Sequence, residues 1–198
     1  MSKKKKNKVV EAPPKPPQMG APGSYLRKEG VLFLSGPFDQ ETISPLVAQI
    51  MEYNLMEEEV QPENIKLIIN SPGGSVAQCW QLVDAMKMSD IPIITIGQGL
   101  VASCGVVTLM AGDKRLITHN TSVMSHVYSW GSKGKEGELK AIVKEFDLSS
   151  ERMIAHYKKC TKKSEKYIRK NLLHPLDEWL TPEECLKHGI ADEIVETY

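Results

Sequence analysis

The chain has 198 residues, of which 41% are hydrophobic and 25% charged, proportions typical of a soluble globular domain with one buried core. Its formal net charge of zero hides an asymmetry, because residues 1–18 carry six lysines and one glutamate and leave the body acidic, which argues against nucleic-acid binding by the folded part. No segment approaches the roughly 18 apolar residues of a membrane span, and no apolar stretch follows the basic N-terminus as in a secretory signal.

Cysteine usage indicates the compartment. Cys79, Cys104, Cys160 and Cys185 are widely separated, lie within periodic apolar segments and show no paired spacing. We therefore expect reduced thiols, a cytoplasmic location, and neither a metal nor another cofactor.

Residues 1–24 are rich in lysine and proline, a composition that favours extended, solvated conformers. The sequence predicts a flexible arm here, followed by a single domain at residues 25–198. Both a solubilising tail and a docking segment fit this composition.

From Gly30 onward, short apolar runs alternate with segments of helical spacing. The predicted strands are residues 31–34, 65–69, 91–96, 116–118, 122–124 and 194–195. The predicted helices cover residues 43–51, 76–86, 103–111, 138–159 and 181–188. Because the strands lack polar alternation, they favour an α/β fold with a largely parallel sheet, covered by helices on both faces and joined by right-handed crossovers.

The long predicted helix at residues 138–159 follows a polar, glycine-rich loop at residues 131–137. Its apolar stripe is narrow and its surface is rich in charge. A helix of this kind either packs on another subunit or stays on the solvated surface.

Ser103 lies where the third predicted strand runs into a turn of small residues, 97–105, and a short apolar helix. A serine at such a junction stands clear of the backbone, beside the free N–H groups of the helix. It is either a nucleophile or an ordinary helix cap. A nucleophile needs a base, an orienting acid and donors for an oxyanion.

His126 is the favoured base, because it follows a strand of the sheet that carries Ser103, whereas its rival His119 occupies a surface turn. Two further potential ligands, His156 and Cys160, share a helix face. Without additional ligands they do not predict a metal site.

The acid and the oxyanion donors are sought in two loops. Asp177 precedes an apolar pair that can dock its loop, so it is a candidate for the largely buried carboxylate that orients the base; a simple turn aspartate is the alternative. Gly73 and Gly74 follow the second strand at the same edge of the sheet, and Cys104 directly follows the serine. Their backbone can approach a developing oxyanion.

Together these segments resemble the proteolytic subunit of the Clp protease, the ClpP family of serine peptidases. The resemblance covers residues 25–198 and rests on six motifs in the family's order. They lie at residues 69–74, 97–105, 111–115, 123–126, 177–184 and 189–192.

The resemblance implies a ClpP/crotonase-like fold and a serine endopeptidase that works through an acyl-serine intermediate. Ser103 would be the nucleophile, His126 the base and Asp177 the orienting acid. Gly74 and Cys104 would supply the oxyanion N–H groups, and the turn at Gly73 would bind substrate.

The resemblance also implies a homo-oligomer. Seven-membered rings, two of them stacked through a handle at about residues 131–160, would form a tetradecamer that encloses the active sites and degrades peptides and unfolded proteins. Because the sequence has no phosphate-binding loop, a AAA+ unfoldase would deliver protein substrates. A further expected partner, if the chain is encoded by a virus, is the ClpP of the host cell. Neither nucleic acid, at the folded domain, nor a membrane is expected as a partner.

The sequence departs from the family at two places. Residues 127–130 replace the usual Gln-Pro after His126, and Lys66, Ile68 and Met88 stand at the aromatic positions of the family's unfoldase pocket. Two alternatives follow: a catalytically altered or regulatory ring subunit, or a crotonase-type acyl-CoA enzyme.

Overall fold

The computed structural model describes residues 24–129, 131 and 133–196. Nearly all of the predicted arm, residues 1–23, lies outside the described residues, as does Trp130 in the segment after His126. The first described element is a helix that begins at Ser24, the last residue assigned to the arm.

The described residues form seven α-helices and seven β-strands. The helices are α1 (Ser24–Lys28), α2 (Gln40–Leu55), α3 (Val76–Lys87), α4 (Cys104–Met110), α5 (Glu136–Thr161), α6 (Glu165–Asn171) and α7 (Pro182–His188). The strands are β1 (Val31–Ser35), β2 (Ile65–Ser71), β3 (Ile93–Ala102), β4 (Lys114–Thr118), β5 (Ser122–Ser125), β6 (Glu178–Leu180) and β7 (Glu193–Val195). Every predicted strand and helix is present, whereas α1, α6 and β6 were not predicted.

The sheet confirms the expected α/β class. Its main path runs β1-β2-β3-β4-β7 with every neighbouring pair parallel. The end of β3 pairs with β5, also in parallel, and β6 then adds to β5 in the antiparallel sense. Strand β3 is longer than predicted, because residues 97–102, expected as a turn, continue it to the edge that carries Ser103.

The sheet carries a core cluster of buried residues on each face. The main core joins alternate residues of the strands, such as Leu34 and Leu67, to helix residues such as Leu82 and Leu109. The opposite face carries a small cluster made of strand residues alone, Ile68, Ile96 and Leu116 with their neighbours. At its margin the Phe33 side chain is 49% exposed.

The long helix α5 begins and ends two residues beyond its predicted bounds. Its C-terminal half packs on the core through residues such as Met153, Ile154 and Tyr157. Its N-terminal half extends from the body and leaves Val143 and Phe146 exposed. Within the described residues, the packing of α5 on the main core thus comes from its C-terminal half.

Arg115 in β4 joins three elements near the base of this handle. Its guanidinium donates to the Gly189 carbonyl at 2.8 Å and to the Cys160 carbonyl at 3.2 Å, and it forms a forked pair with the Asp192 carboxylate, which also accepts from the Arg115 backbone N–H at 2.9 Å. A planar guanidinium suits such a junction because it offers five donors in a fixed geometry.

No helix in the described part of the chain is long and apolar enough to cross a membrane.

Replacing Asp192 by asparagine should lower the free energy of unfolding by about 1 kcal/mol near pH 7, a modest value because the Asp192 side chain is 37% exposed and solvent partly screens the pair. Burial alone would raise the pKa of Asp192, but the hydrogen bonds and charge of Arg115 lower it below its usual value. A carboxyl whose pKa is lower in the folded state adds stability above its unfolded pKa and loses it as the pH falls through the folded value.

Urea unfolding of both proteins between neutral pH and about pH 2 checks this prediction. The difference between wild type and Asp192→Asn should be present at neutral pH and shrink in acid. A difference that stays constant with pH would contradict the role assigned to the charge.

Candidate active site

Ser103 sits at the junction of β3 and α4. It is the N-cap residue of α4, yet its side chain makes no capping hydrogen bond. The hydroxyl instead lies 2.7 Å from Nε2 of His126. Ser103 therefore occupies the cap position of the helix without acting as a side-chain cap, and its hydroxyl contacts the predicted base.

Backbone pairing places these two residues side by side. Ala102 at the end of β3 lies opposite Met124 in β5, and the Ser103 N–H donates to the Met124 carbonyl at 2.8 Å. His126 follows β5 directly. His119 lies in the turn between β4 and β5 and faces Glu196 at 4.0 Å, so the structure brings His126 and not His119 to the serine.

Asp177 lies in the loop before β6, and its Oδ1 is 3.5 Å from Nδ1 of His126. Strand β6 brings it there by pairing with β5, where Glu178 lies opposite Ser125. The expected burial of this carboxylate is wrong for the single chain, since its side chain is 58% exposed. Of the apolar pair expected to dock the loop, Leu180 is buried and Trp179 is exposed.

The imidazole of His126 is oriented by its two neighbours. Its Nε2 faces the serine hydroxyl, and its Nδ1 faces the Asp177 carboxylate, which can accept but cannot donate when ionised. The tautomer with hydrogen on Nδ1 satisfies both contacts. Nε2 is then free to accept the proton of the serine hydroxyl.

The glycines of the adjacent turn are required by close backbone approach. A Cβ at Gly73 would lie 2.7 Å from Cβ of Ser103 and 2.9 Å from the Ala102 carbonyl oxygen. A Cβ at Gly74 would lie 2.7 Å from the carbonyl oxygen of Phe38. Both glycines have positive φ, 89° and 148° respectively, so other residues would also be strained there.

Cys104 is the first residue of α4, so its backbone N–H has no acceptor within the helix. The predicted oxyanion donors therefore lie on two chain segments that meet at Ser103. The Cys79 thiol donates to the Cys104 carbonyl at 3.6 Å, and the Cys104 thiol donates to the Gly74 carbonyl at 3.4 Å. The neighbouring Cys104 thiol and burial together raise the pKa of Cys79 well above its usual value. This thiol pair was missed in the sequence, because nothing in the spacing of the cysteines indicates it.

The remaining potential ligands lie apart from the site. His156 is held by the Val107 carbonyl at 2.9 Å and lies 3.7 Å from the Cys160 sulfur, and burial lowers its pKa to about 4. Within the described residues no group of three or more histidine, cysteine or acidic side chains could hold a metal ion. The four cysteines are free.

The backbone at Ser103 is strained, with φ 55° and ψ −116°, a conformation that favours glycine. We expect Ser103→Gly to be more stable than Ser103→Ala by about 1 kcal/mol, since both lose the contact with His126 but only glycine relieves the strain. Thermal unfolding of the two variants measures the difference. Equal stability, or a more stable alanine variant, would show that the serine conformation costs nothing.

Comparisons with known sequences identify the family. A sequence model of the family described as Clp protease matches residues 18–198. The chain is 30% identical over 175 residues to the ATP-dependent Clp protease proteolytic subunit of Deinococcus radiodurans, with 87% of this chain and 83% of that protein covered. It is 32% identical over 174 residues to proteolytic subunit 2 of Corynebacterium diphtheriae, with 87% and 85% covered. For proteolytic subunit 1 of Corynebacterium jeikeium the identity is 31% over 172 residues, with 86% and 89% covered. The chain therefore belongs to the Clp protease family and is a serine-type peptidase.

Proposed function

We propose that this chain is an endopeptidase that cleaves peptides and unfolded proteins through an acyl-Ser103 intermediate. The observation that carries the proposal is the 2.7 Å contact between the Ser103 hydroxyl and Nε2 of His126, made by a serine whose side chain is not used for capping. A nucleophile and a base in direct contact are the minimum that acyl transfer requires.

Each group has a distinct task. Oγ of Ser103 attacks the scissile carbonyl carbon as Nε2 of His126 takes the hydroxyl proton. His126 then donates that proton to the leaving amine, the C–N bond breaks and the acyl ester forms. Water attacks the ester in the same way, with His126 as the base again, and the serine hydroxyl is restored. Asp177 accepts from Nδ1–H and stabilises the positive imidazole.

The oxyanion is assigned to backbone donors. The N–H of Cys104 follows the nucleophile, and the N–H of Gly74 comes from the turn that touches Ser103 through Gly73. Such donors are fixed before the reaction and need no rearrangement when charge develops on the carbonyl oxygen.

The peptide is proposed to lie as an added strand between the turn at Gly73 and the segment that follows His126. Residues 126–129 belong to no strand, so backbone groups beside the base can pair with an extended chain. Val127 is partly exposed there, while Tyr128 packs on the main core and burial raises its pKa. These side chains replace the family's Gln-Pro and would set the preference for residues near the cleaved bond.

Assembly into rings is proposed from the exposed apolar surfaces. Met51, Leu55 and Met88 are exposed on α2 and at the end of α3, and Phe33 is exposed on β1. Surfaces of this kind indicate contacts between proteins. We infer heptameric rings, stacked in pairs through α5, which would cover sites that the single chain leaves open.

The partners follow from this arrangement. A closed chamber admits only unfolded chains, so a AAA+ unfoldase would deliver protein substrates, and a host ClpP could share mixed rings. Free thiols at all four cysteines fit a reducing, cytoplasmic setting.

Ser103→Ala, His126→Ala and Asp177→Asn should each lower kcat/KM for a fluorogenic peptide by a factor on the order of 10⁴. The first removes the nucleophile, the second removes the base, and the third favours the wrong tautomer of His126. His119→Ala is the matched control and should retain wild-type activity, because its side chain lies away from the serine. Native mass spectrometry of the same samples reports whether assembly is unchanged.

A fluorophosphonate probe adds a direct reading of the nucleophile. Wild type should be labelled at Ser103, and the alanine variants at positions 103 and 126 should not. An intact wild-type oligomer that is neither labelled nor active would favour the regulatory-subunit alternative. Binding of coenzyme A without peptide hydrolysis would favour the crotonase-type alternative.

A further inference from the structure

The loop that carries Asp177 is closed by a second histidine. The Leu176 backbone N–H donates to Nδ1 of His174 at 3.2 Å, and Nε2 of the same imidazole lies 2.6 Å from the Glu178 carboxylate. The His174 and Glu178 side chains are half-buried, at 25% and 37% exposure. The histidine therefore uses both ring nitrogens on the residues that flank Asp177.

Asp177 needs such support. Helix α6 ends at Asn171 and β6 begins at Glu178, so the carboxylate stands on irregular backbone between two elements. Among the described residues its side chain forms one ion-pair contact, with His126 at 3.5 Å, and it is 58% exposed. A side chain held by one long contact takes its position from the backbone that carries it.

The His174 contacts fix that backbone on both sides. The bond from Leu176 N–H to a side chain two residues earlier has the pattern of an Asx-turn, with Pro175 at the intervening position. The contact with Glu178 ties the same ring to β6, where Glu178 lies opposite Ser125, the residue before His126. The loop that carries Asp177 and the base His126 are thus both positioned by the pairing of β5 with β6.

We propose that His174 and Glu178 are positioning residues that hold the Asp177 carboxylate against Nδ1 of His126. This inference rests on the proposed function, in which Asp177 orients the base. Nδ1 of His174 accepts a hydrogen bond, so it carries no proton, and Nε2–H is the donor to the Glu178 carboxylate. His174 does not contact Ser103 and acts on the reaction only through the loop.

Peptidase kinetics of the full-length protein test the proposal. His174→Ala removes both contacts and should lower kcat by roughly 10- to 100-fold with little change in KM, because a misplacement of about 1 Å in an orienting group costs about that much. His174→Asn should restore most of the loss, because its side-chain oxygen can accept from the Leu176 N–H in a true Asx-turn. His119→Ala, another surface histidine beside a glutamate, is the control and should be unchanged.

A double-variant cycle separates positioning from a general structural effect. In the Asp177→Ala background His174→Ala should lower kcat by less than about 2-fold, because the group that it positions is already absent. An equal loss in both backgrounds would overturn the proposal, as would wild-type kinetics for His174→Ala or a failure of asparagine to restore activity.

Native mass and thermal unfolding are measured on each variant. If His174→Ala fails to assemble, Glu178→Ala replaces it as the test variant. It keeps the Asx-type turn and removes only the contact between His174 and β6. A several-fold fall in its kcat is expected, and unchanged kcat would overturn the proposal. Retained activity in Ser103→Ala would instead overturn the proposed function, so that the two failures have different signatures.

Discussion

The candidate site depends on the pairing of β3 with β5. Strand β3 runs for ten residues, first beside β2 and β4 and then, over its last three residues, beside β5. The hydrogen bond from Ser103 N–H to the Met124 carbonyl extends this ladder by one step. Because the two strands are parallel, their carboxyl ends meet at one edge, and the residues that follow them become neighbours. The contact between Ser103 and His126 is thus a consequence of backbone register.

A second constraint is the space around the serine. The turn at Gly73 approaches so closely that a Cβ there would overlap both Ser103 and the carbonyl of Ala102. The serine itself takes a backbone conformation that L-residues rarely adopt, and its side chain makes no hydrogen bond to the helix amides that it could cap. Strain of about 1–3 kcal/mol persists only where surrounding structure enforces it. At Ser103 the surrounding structure includes the hydrogen bond to β5 and the close glycine turn.

The sequence predicted those features of the fold and of the candidate site that depend on local residue patterns and on the order of the strands. Apolar runs and small-residue turns located the main strands, and the parallel class placed Ser103 and His126 at one edge. Strand β6 was missed because three residues give too little pattern, and its pairing with β5 is a long-range contact. The exposure of Asp177 depends on what covers its loop, which residue order does not specify.

The exposure of Asp177 changes what this carboxylate can contribute. Two unit charges about 4 Å apart interact by about 1 kcal/mol in water and by several times more where the effective dielectric is lower. At 58% exposure, water screens the attraction between Asp177 and a positive His126, so that attraction alone holds the pair weakly. Orientation of the imidazole then depends on where the loop backbone sets the carboxylate. Under the proposed function, this gives a part in the chemistry to the contacts of His174 with Leu176 and Glu178, which touch neither the serine nor the base.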